Sequence, residues 1–282
     1  SNVKDKDGFG LTLGYGYTPS KNFYSGIGIK YYDERLDLND MGYLILNDRF
    51  MLNGRTQFKR TTFQEGSVLR SRLFEIGYGS KFNVDSERES SNFALKLENN
   101  FVNLSEIKAE VFYRSTGRNT RITRGSKFAP FIKMPKGMGG YIDFTGPRRP
   151  TYVYGLRFER GRGSEHSPEL GWGTKSRGYL KYMPTDTLSF SLTYQHQREN
   201  EWLNWYGDNL LATFQRKQRT SVVEMEWFRN NIHELRIKAQ MVAFTGREPQ
   251  SFLGDLSGNL NPEDIYIPPI TISELAFQVR YR

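Results

Sequence analysis

The sequence contains no cysteine and no apolar run of about 18 residues, and each absence excludes a class of structure. Without cysteine the chain has no disulfide framework. Without a long apolar run it has no transmembrane helix. Only 37% of its residues are hydrophobic and its mean hydropathy is −0.66. These values leave a membrane β-barrel open, because only alternate residues of a barrel strand need be apolar.

Acidic residues are fewer than basic ones, which gives the 282 residues a formal net charge of +9. The basic residues are spread along the chain and interleaved with glutamate. A nucleic-acid site would concentrate them on one segment or one face. We therefore predict no nucleic-acid partner.

Histidine is also scarce, since only His166, His196 and His233 occur. None of them has a second histidine or a cysteine at the spacing of metal ligands. Although glycine is plentiful, no phosphate-loop pattern follows a strand and opens a helix. The sequence therefore predicts neither a metal site nor a cofactor.

What the sequence does contain is strict alternation of apolar and polar residues over most of its length. If the chain reverses near Asn103, Glu98 faces Lys108 and Lys96 faces Glu110 on one side of a hairpin. The other side then carries only apolar and aromatic pairs: Leu97 with Ala109, Leu95 with Val111, and Phe93 with Tyr113. The pattern predicts an antiparallel hairpin with one apolar and one charged face.

A second hairpin follows from the same construction around Asn231. Glu226 would face Arg236, and Glu224 would face Lys238. Two neighbouring acids could also suggest glycoside hydrolysis, which uses a pair of carboxylates. Because each acid has a basic partner, ordinary ion pairs explain them better. We therefore predict no catalytic residues and no enzyme.

We interpret the charged face as the interior of a barrel and the apolar face as its lipid-facing wall. The predicted lumen charge ladder consists of Lys96, Glu98, Lys108, Glu110, Arg157, Glu224, Glu226, Arg236, Lys238 and Arg280.

The connections between strands alternate in length. The predicted short turns are Thr18–Asn22, Phe63–Val68, Asn99–Ser105, Gly146–Thr151, Met183–Thr187 and Phe228–Ile232. The predicted longer segments are Asp33–Asp48, Ser80–Ser91, Gly117–Gly139, Gly161–Ser176, Arg198–Ala212 and Thr245–Ile270. Short turns at one rim and long loops at the other are typical of outer-membrane barrels.

The pattern gives about thirteen strands, whereas single-chain bacterial barrels have an even number. We therefore predict an all-β, antiparallel transmembrane β-barrel of about 14 strands or more. Its single domain covers residues 1–282 and is expected to be incomplete, because a strand is missing at the front and Leu275–Arg282 stops within a strand pattern.

Two of the longer segments offer candidate contacts. Trp202, Trp205 and Tyr206 combine aromatic rings with polar neighbours, which suits stacking on sugar faces. Loop packing or an interfacial aromatic belt is the alternative. The basic segment Gly117–Gly140 could meet anionic lipopolysaccharide, fold into the lumen, or simply be solvated.

Several phrases of the sequence match a known family. They are Asn39-Asp40-Met41-Gly42-Tyr43-Leu44 with Asn47-Asp48, Trp205-Tyr206-Gly207-Asp208-Asn209, Trp227-Phe228 with His233-Glu234-Leu235-Arg236, and Ser273 to Arg282. The chain resembles the C-terminal domain of unknown function of large bacterial proteins, common in Bacteroidetes, whose N-terminal part is a carbohydrate-binding module similar to family 9. The resemblance implies an outer-membrane barrel attached to a glycan-binding module that is absent from this sequence. It supplies no catalytic residues.

The sequence thus favours an outer-membrane barrel of a Gram-negative bacterium. It would act as a porin-like conduit or as a surface anchor associated with glycan binding or uptake. Its expected partners are outer-membrane lipid and lipopolysaccharide, with glycans or small solutes as ligands. The alternatives are a soluble all-β glycan-binding domain and part of a carbohydrate-active enzyme.

Overall fold

The protein is described by a computed structural model. The described residues are 8–33, 49–83, 88–123, 126–162, 170–229 and 233–282. Within these ranges every regular element is a β-strand. None of the described residues belongs to a helix that could cross a membrane. The prediction of an all-β antiparallel fold is confirmed.

Most strands belong to one 14-stranded antiparallel sheet. Its strands are β1 (Gly10–Ser20), β2 (Phe23–Tyr32), β3 (Arg49–Arg60), β4 (Leu69–Phe82), β5 (Arg88–Phe101), β6 (Glu106–Arg114), β9 (Gly137–Thr145), β10 (Tyr152–Arg162), β11 (Trp172–Thr185), β12 (Leu188–Gly207), β13 (Leu210–Phe228), β14 (Glu234–Gly254), β15 (Leu260–Glu263) and β16 (Ile270–Tyr281). Each strand pairs with the next in this order, except that β16 returns to pair with β14. The short strands β7 (Gly117–Asn119) and β8 (Ile132–Met134) form a separate hairpin.

The last two strands of the sheet lie end to end beside β14. β15 pairs with residues 251–254 of β14, and β16 pairs with residues 235–246. The two strands therefore occupy one position in the sheet. The edge strands are β1 and β16, and no pairing joins them within the described residues, so the sheet is open.

The connections fall at two rims of different character. Short connections join β1 to β2, β3 to β4, β5 to β6, β9 to β10, β11 to β12 and β13 to β14, and we call their side the short-turn rim. All six predicted short turns fall at these connections, although residues 230–232 of the last one lie outside the described residues. The opposite side is the long-loop rim.

The predicted long segments are less accurate. The segment Arg198–Ala212 is not a loop, because β12 and β13 continue through it to a two-residue turn at Asp208 and Asn209. The segment Thr245–Ile270 also contains strand, since β14 extends to Gly254 and β15 follows. Most of Asp33–Asp48, including the Asn39–Leu44 and Asn47–Asp48 phrases, lies outside the described residues.

The predicted registers of both hairpins are confirmed. In the first, Glu98 pairs with Lys108 and Lys96 pairs with Glu110. The apolar partners on its other face also match: Leu97 with Ala109, Leu95 with Val111, and Phe93 with Tyr113. The second hairpin has the predicted pairs Glu224 with Lys238 and Glu226 with Arg236.

The buried hydrophobic core lies at the long-loop rim rather than between the strands of the wall. One cluster comprises Ile132, Met134, Leu203 and Leu211, and a second comprises Ala212, Phe214 and Ile267. Leu211 and Ala212 are neighbours on β13, so their side chains point to opposite faces. The extended β12–β13 hairpin is therefore covered on both faces, and we call this packed region the cap.

Candidate functional site

The two faces of the sheet differ in chemistry. One face, here called the apolar face, presents exposed large hydrophobic side chains on nearly every strand of the wall. They include Leu13, Tyr15, Ile27, Phe58, Phe74, Tyr78, Phe93, Leu97, Val111, Ile142, Leu156, Phe158, Leu180, Tyr182, Phe190, Leu192, Tyr194, Val223, Met241, Phe277 and Val279. Because side chains alternate along each strand, the residues between them form the opposite, charged face.

All ten residues of the predicted charge ladder lie on this charged face. One row of paired positions runs through Lys96 and Glu110, and the next runs through Glu98, Lys108 and Arg157. Nearer the short-turn rim, two further rows carry the remaining five: Glu224 with Lys238, and Glu226 with Arg236 and Arg280. The structure brings the ladder residues together in two groups, one at each hairpin.

Ion pairs across β13 and β14 follow the predicted partners. Lys238 Nζ lies 2.8 Å from Glu224 Oε1, and Arg236 Nε lies 3.8 Å from Glu226 Oε1. Glu226 also has Lys181 Nζ at 3.5 Å from the neighbouring strand β11. Each of these two carboxylates therefore has a basic partner, as the sequence predicts.

Ion pairs in the first hairpin run along the strands instead of across them. Lys96 Nζ lies 3.7 Å from Glu98 Oε2, and Lys108 Nζ lies 2.8 Å from Glu106 Oε2. Glu110 accepts a hydrogen bond of 3.3 Å from the hydroxyl of Tyr141. Glu106 was not predicted as part of the ladder, although its spacing of two residues from Lys108 places both on one face.

Arg157 has partners that the sequence reasoning missed. Its guanidinium lies 3.6 Å from Asp143 and 3.3 Å from Glu159, and it stacks 3.8 Å above the ring of Tyr141. Asp143 lies on β9, which the alternation does not reveal because Gly139 and Gly140 interrupt it. The alternating run from Tyr141 to Phe144 is the signal that could have found this strand.

The predicted aromatic contact residues belong to the cap. Trp202 packs against Phe214 and Phe244, with ring centroids 6.1 and 5.3 Å away, and Arg216 lies 4.8 Å from its ring centre. Trp205 packs against the other cluster and donates a hydrogen bond of 3.0 Å to the carbonyl of Asp208.

The side chains of the two tryptophans therefore lie on opposite faces of the hairpin and do not form one stacking surface. They lie in strand β12, so the expectation of an aromatic loop is wrong. The third aromatic residue, Tyr206, is exposed. A sugar contact stays a prediction, and Tyr206 is the member of the set that is accessible for it.

The basic segment Gly117–Gly140 is largely ordered against the cap rather than extended into solvent. Ile132 and Met134 of β8 are buried there, and the backbone N–H of Lys133 donates to the carbonyl of Gly258 at 2.8 Å. Gly254 permits this close approach, because an added Cβ would lie 2.8 Å from the Cβ of Ala129.

A tight turn between β14 and β15 supports β8 from the other side. Lys133 Nζ donates to the side-chain oxygen of Asn259 at 2.9 Å. The backbone N–H of Asn259 donates in turn to Asp255 at 2.8 Å, and this hydrogen bond lowers the pKa of the Asp255 carboxyl. The carboxylate therefore stays charged to a lower pH than an ordinary aspartate would.

No group of three or more histidine, cysteine, aspartate or glutamate side chains in the described part of the chain is placed to hold a metal ion. His166 lies outside the described residues.

Comparison of the chain with family models, curated proteins and solved structures finds no match. The family resemblance noted from the sequence therefore stays a prediction.

The stability lost on replacing Trp202, which is packed in the cap, can be compared with that lost on replacing Tyr206, which is exposed. Replacing Trp202 with alanine should lower the free energy of unfolding by about 3 kcal/mol, the lower end for a packed tryptophan, because it removes a partly buried ring that packs on two others. Tyr206→Ala should cost less than about 1 kcal/mol. Urea unfolding of the refolded proteins, followed by circular dichroism, measures both. Equal losses would contradict the assignment of Trp202 to the cap core.

Proposed function

We propose that the chain forms the wall of a transmembrane β-barrel in a bacterial outer membrane, with the apolar face in lipid and the charged face toward the interior. The proposal rests on one observation: in the first hairpin, burial is inverted relative to a water-soluble protein. Val111 is 59% exposed, whereas the side chains of Glu98 and Lys96 are 21% and 27% exposed. Water would favour the opposite arrangement, and hydrocarbon outside the sheet favours this one.

The height of the apolar face supports the same proposal. Trp172 and Tyr182 are exposed on the apolar face at the two ends of β11, ten residues apart. At about 3.3 Å per residue and a strand tilt of about 40°, they are separated by about 25 Å in height. This matches the apolar band of outer-membrane barrels, whose borders carry aromatic residues.

Closure of such a barrel sets a condition on the strands that complete it. β1 and β16 both run from the long-loop rim to the short-turn rim. Direct pairing between them would be parallel. An all-antiparallel barrel therefore needs an odd number of further strands between β16 and β1.

Within that barrel we assign the charged face to a porin-like conduit, or to the filled interior of a surface anchor, associated with glycan binding or uptake. Ion-pair ladders suit a polar interior. The proposed partners are outer-membrane lipid and lipopolysaccharide at the apolar face. Glycans or small solutes would be the ligands, and no enzymatic activity is proposed.

Extraction and electrophoresis test the membrane assignment. The full chain should need detergent to remain monodisperse and should migrate faster on gels when unboiled than when boiled. A protein that stays monodisperse in buffer without detergent would contradict the barrel and favour a soluble all-β glycan-binding domain.

A charge placed on the apolar face should be costly. Leu156 is exposed on the apolar face and lies midway along β10 between Tyr152 and Arg160, near the middle of the band. Leu156→Arg should therefore lower the free energy of unfolding in lipid by about 2–4 kcal/mol. The matched variant Glu110→Arg, on the charged face, should cost less than about 1 kcal/mol. Refolding and urea titration in phospholipid vesicles measure both, and equal tolerance of the two arginines would refute the orientation.

An open conduit should prefer anions modestly. The charged face carries Lys181 and Arg177 in addition to the ladder cations, while Glu159 and Asp143 offset part of the positive charge. Reversal potentials in planar bilayers under a salt gradient measure the preference. Cation selectivity would contradict the charge argument. Absence of conductance would rule out the conduit and leave the anchor.

A further inference from the structure

The apolar face changes character near the long-loop rim on three strands. On β10 the exposed residue Phe158 is followed, two positions on, by Arg160. On β12 exposed Tyr194 is followed on the same face by His196 and Arg198. The outward side chains thus switch from aromatic to basic within one step of the alternation.

The third strand repeats the change in the opposite chain direction. On β13, going back along the chain from exposed Val223, the same face carries Ser221, then Arg219 and Lys217. Arg198, Lys217 and Arg219 are all exposed. We call Arg160, Arg198, Lys217 and Arg219 the outer basic patch.

The pairing of the strands concentrates these cations. Arg198 lies directly opposite Lys217, and Arg219 lies opposite His196. Like charges in directly opposite positions destabilise a sheet unless something neutralises them. None of Arg198, Lys217 and Arg219 forms an ion pair with another described residue. Their neighbours in the two rows are neutral: Thr174, Ser176, Ala243 and Thr245.

The patch lies at the height where a lipid headgroup would be. On β10 and β13 the first basic residue lies eight residues from the apolar residue nearest the short-turn rim, as Arg160 does from Tyr152 and Arg219 from Trp227. On β12, Arg198 lies ten residues from Leu188. Eight to ten residues correspond to about 20–25 Å of height at a tilt of about 40°. Arg160 also lies 5.4 Å from the ring centre of Trp172, an aromatic residue at the same border.

We propose that the outer basic patch binds the phosphate groups of lipopolysaccharide in the outer leaflet. The inference rests on the proposed membrane barrel, in which the long-loop rim faces outward. Arginine and lysine exposed beside hydrocarbon form strong, charge-assisted hydrogen bonds with phosphate. A bound phosphate would also relieve the repulsion between Arg198 and Lys217. This site is distinct from the charged face and does not depend on whether the barrel conducts.

Titration with lipid A tests the proposal on the full chain in nonionic detergent. The wild type should bind lipid A saturably, and the double variant Arg198→Gln with Lys217→Gln should bind it at least about tenfold more weakly. The matched control is Arg148→Gln with Arg149→Gln, which removes the same charge from exposed residues in the turn between β9 and β10 at the short-turn rim. The control should bind like the wild type.

A phosphate-free lipid A and free inorganic phosphate identify the source of the binding. The dephosphorylated lipid should bind about as weakly as the double variant binds lipid A. Inorganic phosphate at millimolar concentration should not displace lipid A, since it lacks the acyl chains held at the apolar face. Equal binding of the dephosphorylated lipid, or an equal loss in the control variant, would overturn the proposal.

The same samples separate this proposal from the barrel itself. If both variants remain heat-modifiable and dependent on detergent while lipid A binding is unchanged, only the phosphate site is wrong. If the wild type is monodisperse without detergent, the membrane barrel is wrong, and that outcome is visible before any lipid is added.

Discussion

The period of two along a β-strand is the constraint on which the rest of the structure depends. Neighbouring side chains must point to opposite faces, so a chain that alternates apolar and charged residues cannot mix them. Antiparallel pairing extends this separation over the whole sheet. Leu97 and Ala109 meet on one face while Glu98 and Lys108 meet on the other. A one-residue slip would reverse both faces, and the opposite charges across the strands favour the observed register.

This constraint divides the molecule into two parts that are stabilised differently. Among the described residues, the wall has paired backbone groups and ion-pair ladders but few buried apolar side chains, and in the proposed barrel the surrounding lipid stabilises it. The cap packs Phe214, Leu211 and Ile132 in the manner of a small water-soluble core. In the described part of the chain, the buried apolar clusters lie at the long-loop rim, and in the proposed membrane the hydrophobic effect acts on the wall from outside.

Much of the wall could be predicted from the sequence. Where a short turn joins two strands, those strands must pair, and opposite charges then select their register. Both predicted hairpins are of this kind. The cap could not be predicted in the same way. Register shifts between Glu199 and Trp202, and between Thr213 and Gln215, break the alternation just where β12 and β13 leave the wall. Beyond the shifts both faces of the hairpin are apolar, so the segment resembles a loop rich in aromatic residues.

The outer basic patch was missed for a related reason. The sequence shows Arg198, Lys217 and Arg219 only as scattered basic residues. Their concentration arises from pairing between strands, which places Arg198 opposite Lys217. Glu106 was missed as a member of the ladder because its partner Lys108 lies along the same strand, and Asp143 was missed because glycine hides its own strand, β9. The spacing within one segment predicts the face on which a residue lies. Which residues lie beside it on the neighbouring strands depends on the register of those strands.

The most direct test of the central claim is the orientation of successive side chains on one strand of the wall. Because the chain has no cysteine, single cysteines can be placed from Ile107 to Tyr113 on β6 and labelled with a fluorophore in phospholipid vesicles. If the apolar face lies in lipid, labels at 107, 109, 111 and 113 should be quenched by brominated lipid. Labels at 108, 110 and 112 should be quenched only by a water-soluble quencher. Quenching without this alternation, or with the two sets reversed, would contradict this orientation.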